Sequence, residues 1–174
     1  MTNQESLSSI LTSFKQGMRH CFSHSKYKKL PDDMKLVFLE DWFVENPNDY
    51  KKFKRSVKTS ILPKKMGNNE VGTIISIIST EGRLVSFLHV NILAQNGCEN
   101  SECLYDCYLA NSATPHEYDQ RKGYNTILRN MVIDSARHAS LRRVISAPLE
   151  GANSSGILEK LGFIEDGKIR YFEL

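Results

Sequence analysis

A chain of 174 residues with 40% hydrophobic and 25% charged side chains has the make-up of one globular domain, which excludes a disordered chain and two independent cores. Its 23 basic and 20 acidic side chains leave a net charge of +3, which by itself calls for no nucleic-acid partner. No run approaches the ~20 apolar residues of a membrane-crossing helix, and the opening MTNQESLSSILTSFKQ lacks the basic-then-apolar pattern of an export signal, so a cytoplasmic protein without a membrane partner is expected.

The first 65 residues are predicted to be helical. Leu7, Ile10, Leu11, Phe14, Met18 and Cys21 recur at helical spacing and give an amphipathic first helix. A second helix is predicted after Pro31, where Asp32 and Asp33 suit a positive helix end, with Met34, Val37, Phe38 and Trp42 turned inward and Asn46-Pro47 as its stop. A third runs from about Asn48, with Tyr50, Phe53, Val57 and Ile61 on one side, until Pro63 forbids continuation.

From Glu70 the pattern turns to strands. VGTIISIIS is β-branched on both faces, TEG is a turn, and LVSFLHVNILA completes a hairpin. Residues 95–101 are polar and lead to a third strand, ECLYDCYLA, followed by a long loop over residues 111–119. Ile127, Leu128, Met131, Val132 and Ala136 mark a helix, residues 143–147 a strand, residues 154–161 a short helix, and Asp166-Gly167 a turn into IRYFEL. Helices followed by β-β-β-α-β-α-β give the fold class: an α/β (α+β) domain with a central mixed, mostly antiparallel sheet. The expected organisation is a helical segment, residues 1–65, packed on a core of residues 66–174.

Cys21, Cys98, Cys103 and Cys107 are too few for a disulfide-built fold. They lack paired ligand spacing, even with His20 and His24 added, so buried thiols in a reducing compartment and no metal are expected.

The stretch that carries chemistry is QRKGYN, residues 120–125. A strand that delivers a short basic loop with a glycine to a helix start leaves backbone amides unpaired at the positive end of the helix dipole. Such a loop suits an anion, phosphate above all.

The order of elements, this loop and the later NSSGILEKLGF together resemble the GCN5-related N-acetyltransferase (GNAT) superfamily, whose signature loop is [QR]-x-x-G-x-[GA] and whose last motif ends in E-K-x-G-F. Gln120 and Gly123 match the first motif; Glu159, Lys160, Gly162 and Phe163 match the second, in an ending similar to that of ribosomal-protein alanine acetyltransferases. The resemblance covers about residues 70–174; the family's usual opening strand and two helices have no counterpart legible in the first 65. It implies transfer of an acetyl group from acetyl-CoA to a primary amine of a protein, a peptide, an aminoacyl-tRNA or a small molecule. It also implies that the cofactor's diphosphate rests on the amides of Arg121, Lys122, Gly123, Tyr124, Asn125 and Thr126 beside Gln120. The pantetheine arm would lie between ECLYDCYLA, with Leu109, and RVISA, and Asn153 would serve it. Two positions depart from the pattern: Asn125 replaces the last Gly or Ala, and Leu158 stands where many members carry a proton-donating tyrosine.

For the general base, the resemblance points first to Asp106, on the strand where several relatives place an acid, followed by Glu102 and His89; His116 and Glu150 are weaker alternatives. Positive charge gathers over residues 51–65 and at Lys26, Lys28 and Lys29. On an amphipathic helix this most often means a solvated face, and otherwise a polyanionic acceptor. The alternatives to an enzyme are a catalytically silent module that binds coenzyme A or a partner, and a basic RNA-binding module.

Overall fold

The amphipathic first helix, α1 (Asn3–Ser23), buries Leu7, Phe14, Met18 and Cys21, and its axis comes close to a later helix, α4 (Tyr124–His138). Gly17 permits the approach: a Cβ there would lie 3.1 Å from Ser135 Cα and 3.1 Å from His138 Cβ. The computed structural model describes residues 3–23, 30–57, 59–63, 67, 69–95, 104–146 and 155–174.

The predicted second helix is corrected at its start. Met34–Phe38 is a strand, β1, and only Leu39–Glu45 is helical, as α2. Met34, Val37 and Phe38 fit a helix face, but Met34, Leu36 and Phe38 equally fit one side of a strand. The strand wins because its neighbour β2 (Glu70–Ser79) offers an edge, and the two pair antiparallel from Met34↔Ser79 to Phe38↔Ile75. Met34, Leu36 and Phe38 then face the α1 side, and Val37 the other. Where β1 stops, the Glu40 carboxylate takes over the edge: Oε2 accepts from the Ile74 amide at 3.2 Å, and Oε1 accepts from the Thr73 hydroxyl. Lys15 of α1 lies 2.9 Å from the same carboxylate.

The stop at Asn46-Pro47 is where the sequence puts it, with the Asn46 amide and side chain both donating to the Trp42 carbonyl. The third helix, α3 (Asp49–Ser56), ends well before Pro63, since Val57 is already extended. Ile61 nevertheless reaches the core predicted for it, beside Leu39 and Phe53.

The hairpin of β2 with β3 (Leu84–Ala94) is as expected. The third predicted strand, β4 (Tyr105–Ala113), starts later and runs further, taking the first three residues from the expected loop. After α4 come β5 (Arg143–Ser146), α5 (Ser155–Lys160), and the hairpin of β6 (Ile164–Asp166) with β7 (Ile169–Glu173), of which β6 has no sequence counterpart above. The sheet order is β1-β2-β3-β4-β5-β7-β6; β4 and β5 pair parallel and the other neighbours antiparallel. A core of α1, α4 and α5 residues covers one face, with Leu128, Val132 and Leu158 against Ile77, Leu88 and Val144; Phe53, Leu39 and Ile61 cover Ile74, Ile78 and Phe87 on the other. The first 65 residues thus hold a strand, β1, and two short helices, α2 and α3, preceded by α1.

Candidate active site

The site begins where β4 hands the chain to α4. Gln120 braces the connecting loop by donating from Nε2 to the Thr114 carbonyl at 3.3 Å, and Asp119 anchors it from inside, 1% exposed and paired with Arg83 of the β2–β3 turn. Two left-handed residues shape the turn: Arg121 at φ +63° and Gly123 at φ +82°. A left-handed Arg stores about 1 kcal/mol of backbone strain. Gly123 caps α4, and no side chain bonds there. The Ile127 amide donates to the Gly123 carbonyl at 3.0 Å. The amides of Tyr124, Asn125 and Thr126 precede that bond and, by helix geometry, have no partner within the helix. A Cβ on Gly123 would meet nothing within 4 Å beyond its chain neighbours, so the space beside the turn is open.

The side chains around this turn differ in what they offer. Arg121 is exposed, and Lys122 is half-exposed with its ammonium 3.7 Å from Asp119 and 5.9 Å from the Tyr118 ring. Tyr124 is buried, which pushes its phenol above the ordinary value, with Asp119 adding to the effect. Thr126 uses its carbonyl to accept from Asn130 at 3.1 Å. Asn125 is half-buried and its Oδ1 accepts from Arg129 Nε at 2.7 Å.

Sequence reading passed over Arg129. It lies among Leu128, Met131 and Val132 on the helix, only 4% exposed, and burial lowers its pKa from the ordinary guanidinium value. Nη2 donates to the Ser112 hydroxyl of β4 at 3.1 Å, while Nη1 is buried without a hydrogen-bond partner. The available signal was a cation inside the apolar stripe of a helix, where Leu or Ala would be ordinary.

The two strands named for the pantetheine arm part company here. β4 and β5 pair over Cys107↔Val144, Tyr108↔Ile145 and Leu109↔Ser146. Beyond Leu109, β4 continues beside β3, with Asn111↔His89, Ser112↔Leu88 and Ala113↔Phe87, and its other edge has no strand partner among the described residues. A register shift between His89 and Val90 marks the same point. The Leu109 side chain is buried in the core. Asn153, Glu102 and Glu150 lie outside the described residues, as do Cys98, Cys103, His24 and the cluster Lys26, Lys28 and Lys29.

Of the candidate bases, Asp106 sits towards the start of β4, away from the loop, and both of its oxygens are taken. Arg142 donates to them from Nε at 2.9 Å and Nη2 at 2.8 Å, and Arg143 Nε adds a contact of 3.3 Å. The same residue borders a recess of about 660 Å³ shared with Glu70, Gln95 and Arg143, in which burial raises the Glu70 pKa. His89 is 6% exposed and stands on the register shift, paired with Asn111 across β4. His116 stacks on Tyr118 with ring centroids 5.4 Å apart. Leu158 is 1% exposed and belongs to the core. Among the described residues, no group of His, Cys, Asp and Glu is placed to hold a metal, and no helix is long and apolar enough to cross a membrane.

No family model matches the chain, and no curated protein matches it in sequence. Its structure is similar to that of spermidine N-acetyltransferase from Vibrio cholerae, with a TM-score of 0.52 and 14% identity over 82% of this chain and 95% of that one. It is similar to a mutant of the AtaT toxin, with a TM-score of 0.50 and 10% identity over 84% and 93% of the two chains. A chain of the KacTA–DNA complex matches at a TM-score of 0.50 and 14% identity, over 80% and 92%. At such identities the likeness speaks for architecture alone. The seven-stranded sheet, its flanking helices and these likenesses together make the fold that of the GCN5-related N-acetyltransferases.

Proposed function

We propose that the chain is an acyltransferase that moves an acetyl group from acetyl-CoA to a primary amine. The observation that carries this reading is the junction of the α4 start at Gly123 with a β4 edge that, from Ala110 onward, has no strand partner among the described residues on the side away from β3. The amides of residues 121–126 receive a diphosphate, where the positive helix end favours anionic charge. The main chain of Leu109 to Ala113 receives the pantetheine arm as an added strand would be received. The space at Gly123 and the unpartnered Arg129 nitrogen both fit such an anionic, extended ligand.

When bound, acetyl-CoA supplies an acetyl group already activated as a thioester. The chain then has to hold the amine against that carbon and accept its proton, and orientation supplies much of the rate. His89 is the base favoured among the candidates, because it lies on the strand next to residues 110–113 of β4, whereas the Asp106 oxygens are occupied by arginines. Leu158 cannot protonate a leaving thiolate, so solvent or another group does so. This reaction class leaves the acceptor open between a protein, a peptide, an aminoacyl-tRNA and a small molecule.

Leu158 also supports a second reading, a silent member that binds coenzyme A without turnover. An RNA-binding role draws less support, since Lys52 and Lys54 of α3 are engaged with the carbonyls of Gly82 and Thr59. Titration with acetyl-CoA should raise the melting temperature progressively. Transfer to a panel of amines, lost in His89→Gln, marks an enzyme; binding without transfer marks the silent module; no thermal response removes both.

A further inference from the structure

Among the described residues, Arg129 is a cation without an anion. It is 4% exposed, and its guanidinium donates to two neutral oxygens, Asn125 Oδ1 at 2.7 Å and Ser112 Oγ at 3.1 Å. Nη1 has no partner, and no carboxylate pairs with the group among the described residues. Burying a charge in this way opposes folding, so its retention calls for another reason. The position of the group says what that is. Asn125 occupies the second helical residue of α4, directly behind Gly123, so the guanidinium stands one turn beneath a helix start that already favours negative charge.

The bond to Asn125 also decides how that side chain is turned. With Oδ1 held by Arg129, the amide group has Nδ2, a donor, as its free end.

We propose that Arg129 is a positioning residue for the diphosphate of the acyl-CoA cofactor: it fixes Asn125 with its donor towards the ligand and lends its own uncompensated charge from below. The inference rests on the acetyl-CoA reading above and adds two residues, Arg129 and Ser112, that the signature loop does not contain. The protein without ligand bears the cost of the buried charge, and the anion of the ligand relieves it.

The test sets stability of the free protein against binding. Asn125→Asp hands Arg129 a carboxylate and removes the donor. It should raise the melting temperature of the free protein while weakening both acetyl-CoA and inorganic pyrophosphate by about tenfold or more in calorimetric titration. Arg129→Met should leave the free protein equally or more stable, weaken both probes, and raise KM for acetyl-CoA with little change in kcat. Should Arg129→Met fail to fold, Asn125→Asp decides alone, because it keeps the arginine and the helix. Unaltered affinity in Asn125→Asp overturns the proposal, as does weaker binding accompanied by a lower melting temperature, which marks an ordinary structural pair. A wild-type protein that binds neither probe overturns the acetyl-CoA reading itself, and the proposal with it.

Discussion

Asp119 and Arg83 join two turns that are 36 residues apart in the chain: the carboxylate, 1% exposed, accepts from the guanidinium of the β2–β3 turn. Arg83 also lies over the Tyr118 ring, 4.6 Å from its centroid. The loop that delivers Gly123 is therefore held by the β2–β3 turn as well as by its own bond from Gln120 to Thr114. Asp119→Asn leaves Arg83 without its charge partner, and a loss of about 2–4 kcal/mol in urea unfolding is expected. Acetyl-CoA affinity should fall with it, because the loop amides lose their fixed arrangement.

Gly123→Ala tests the turn at its apex. A Cβ there meets no atom within 4 Å, so no clash arises, and the penalty is that of a left-handed alanine, about 1 kcal/mol. The expected result is a small fall in melting temperature with a larger proportional loss of acetyl-CoA binding, measured by thermal shift with and without ligand. A Gly123→Ala protein that is fully stable and binds normally contradicts the assignment of this turn.

Asp106→Asn separates architecture from chemistry. Removing the charge strands Arg142, whose pKa is held up chiefly by its bond to Asp106, and also Arg143 beside it. We expect destabilisation of about 3 kcal/mol, with kcat per folded molecule little changed. A kcat that drops a hundredfold in a stable Asp106→Asn protein would return this residue to the role of base.

Two buried groups set the behaviour at high pH. Burial and the neighbouring Asp106 raise the Cys107 thiol far above its ordinary value, and burial likewise raises the Tyr124 phenol. Both folded-state values exceed the unfolded ones, so the native state holds more protons once the unfolded groups begin to ionise. Stability is accordingly full below the ordinary thiol range and falls as pH rises through and above it. Tyr124→Phe should flatten the part of that decline above about pH 10. Mass-spectrometric mapping of alkylation at pH 9 should find Cys107 unmodified until the protein unfolds.

Gly17 marks how tightly α1 docks. Gly in a helix interior costs about 1 kcal/mol relative to Ala. Its presence here follows from the 3.1 Å distances to α4. Gly17→Leu has nowhere to place its side chain, and a loss of about 2–3 kcal/mol is expected by denaturant titration. An unchanged midpoint would mean that α1 does not pack on α4 in solution.

Much of this architecture was legible because its signals are local. The β-branched run of β2, the TEG turn and the heptad-like apolar spacing of α4 each specify an element without help from the rest of the chain. The Q-x-x-G loop was legible for the same reason, since a left-handed glycine before a helix is a backbone requirement written into the sequence. Short elements escaped. Five residues from Met34 satisfy both helical and strand spacing, and the edge of β2 chose between them. Ile164–Asp166 has too few residues for any period, and exists as a strand because Arg170 and Tyr171 lie opposite.

By itself, then, the sequence determined the order of the longer elements from Glu70 onward, their apolar faces, and the place of the glycine turn before α4, all of which depend on neighbours within a few residues. Only the tertiary structure decided that Asp106 is locked between arginines, that Arg83 pairs with Asp119 in the loop, and that Arg129 is buried against Asn125 with no carboxylate partner among the described residues. Those outcomes depend on which groups meet across the sheet and how far water is excluded from them, and neither burial nor the identity of a charge's partner is encoded at a fixed spacing along the chain.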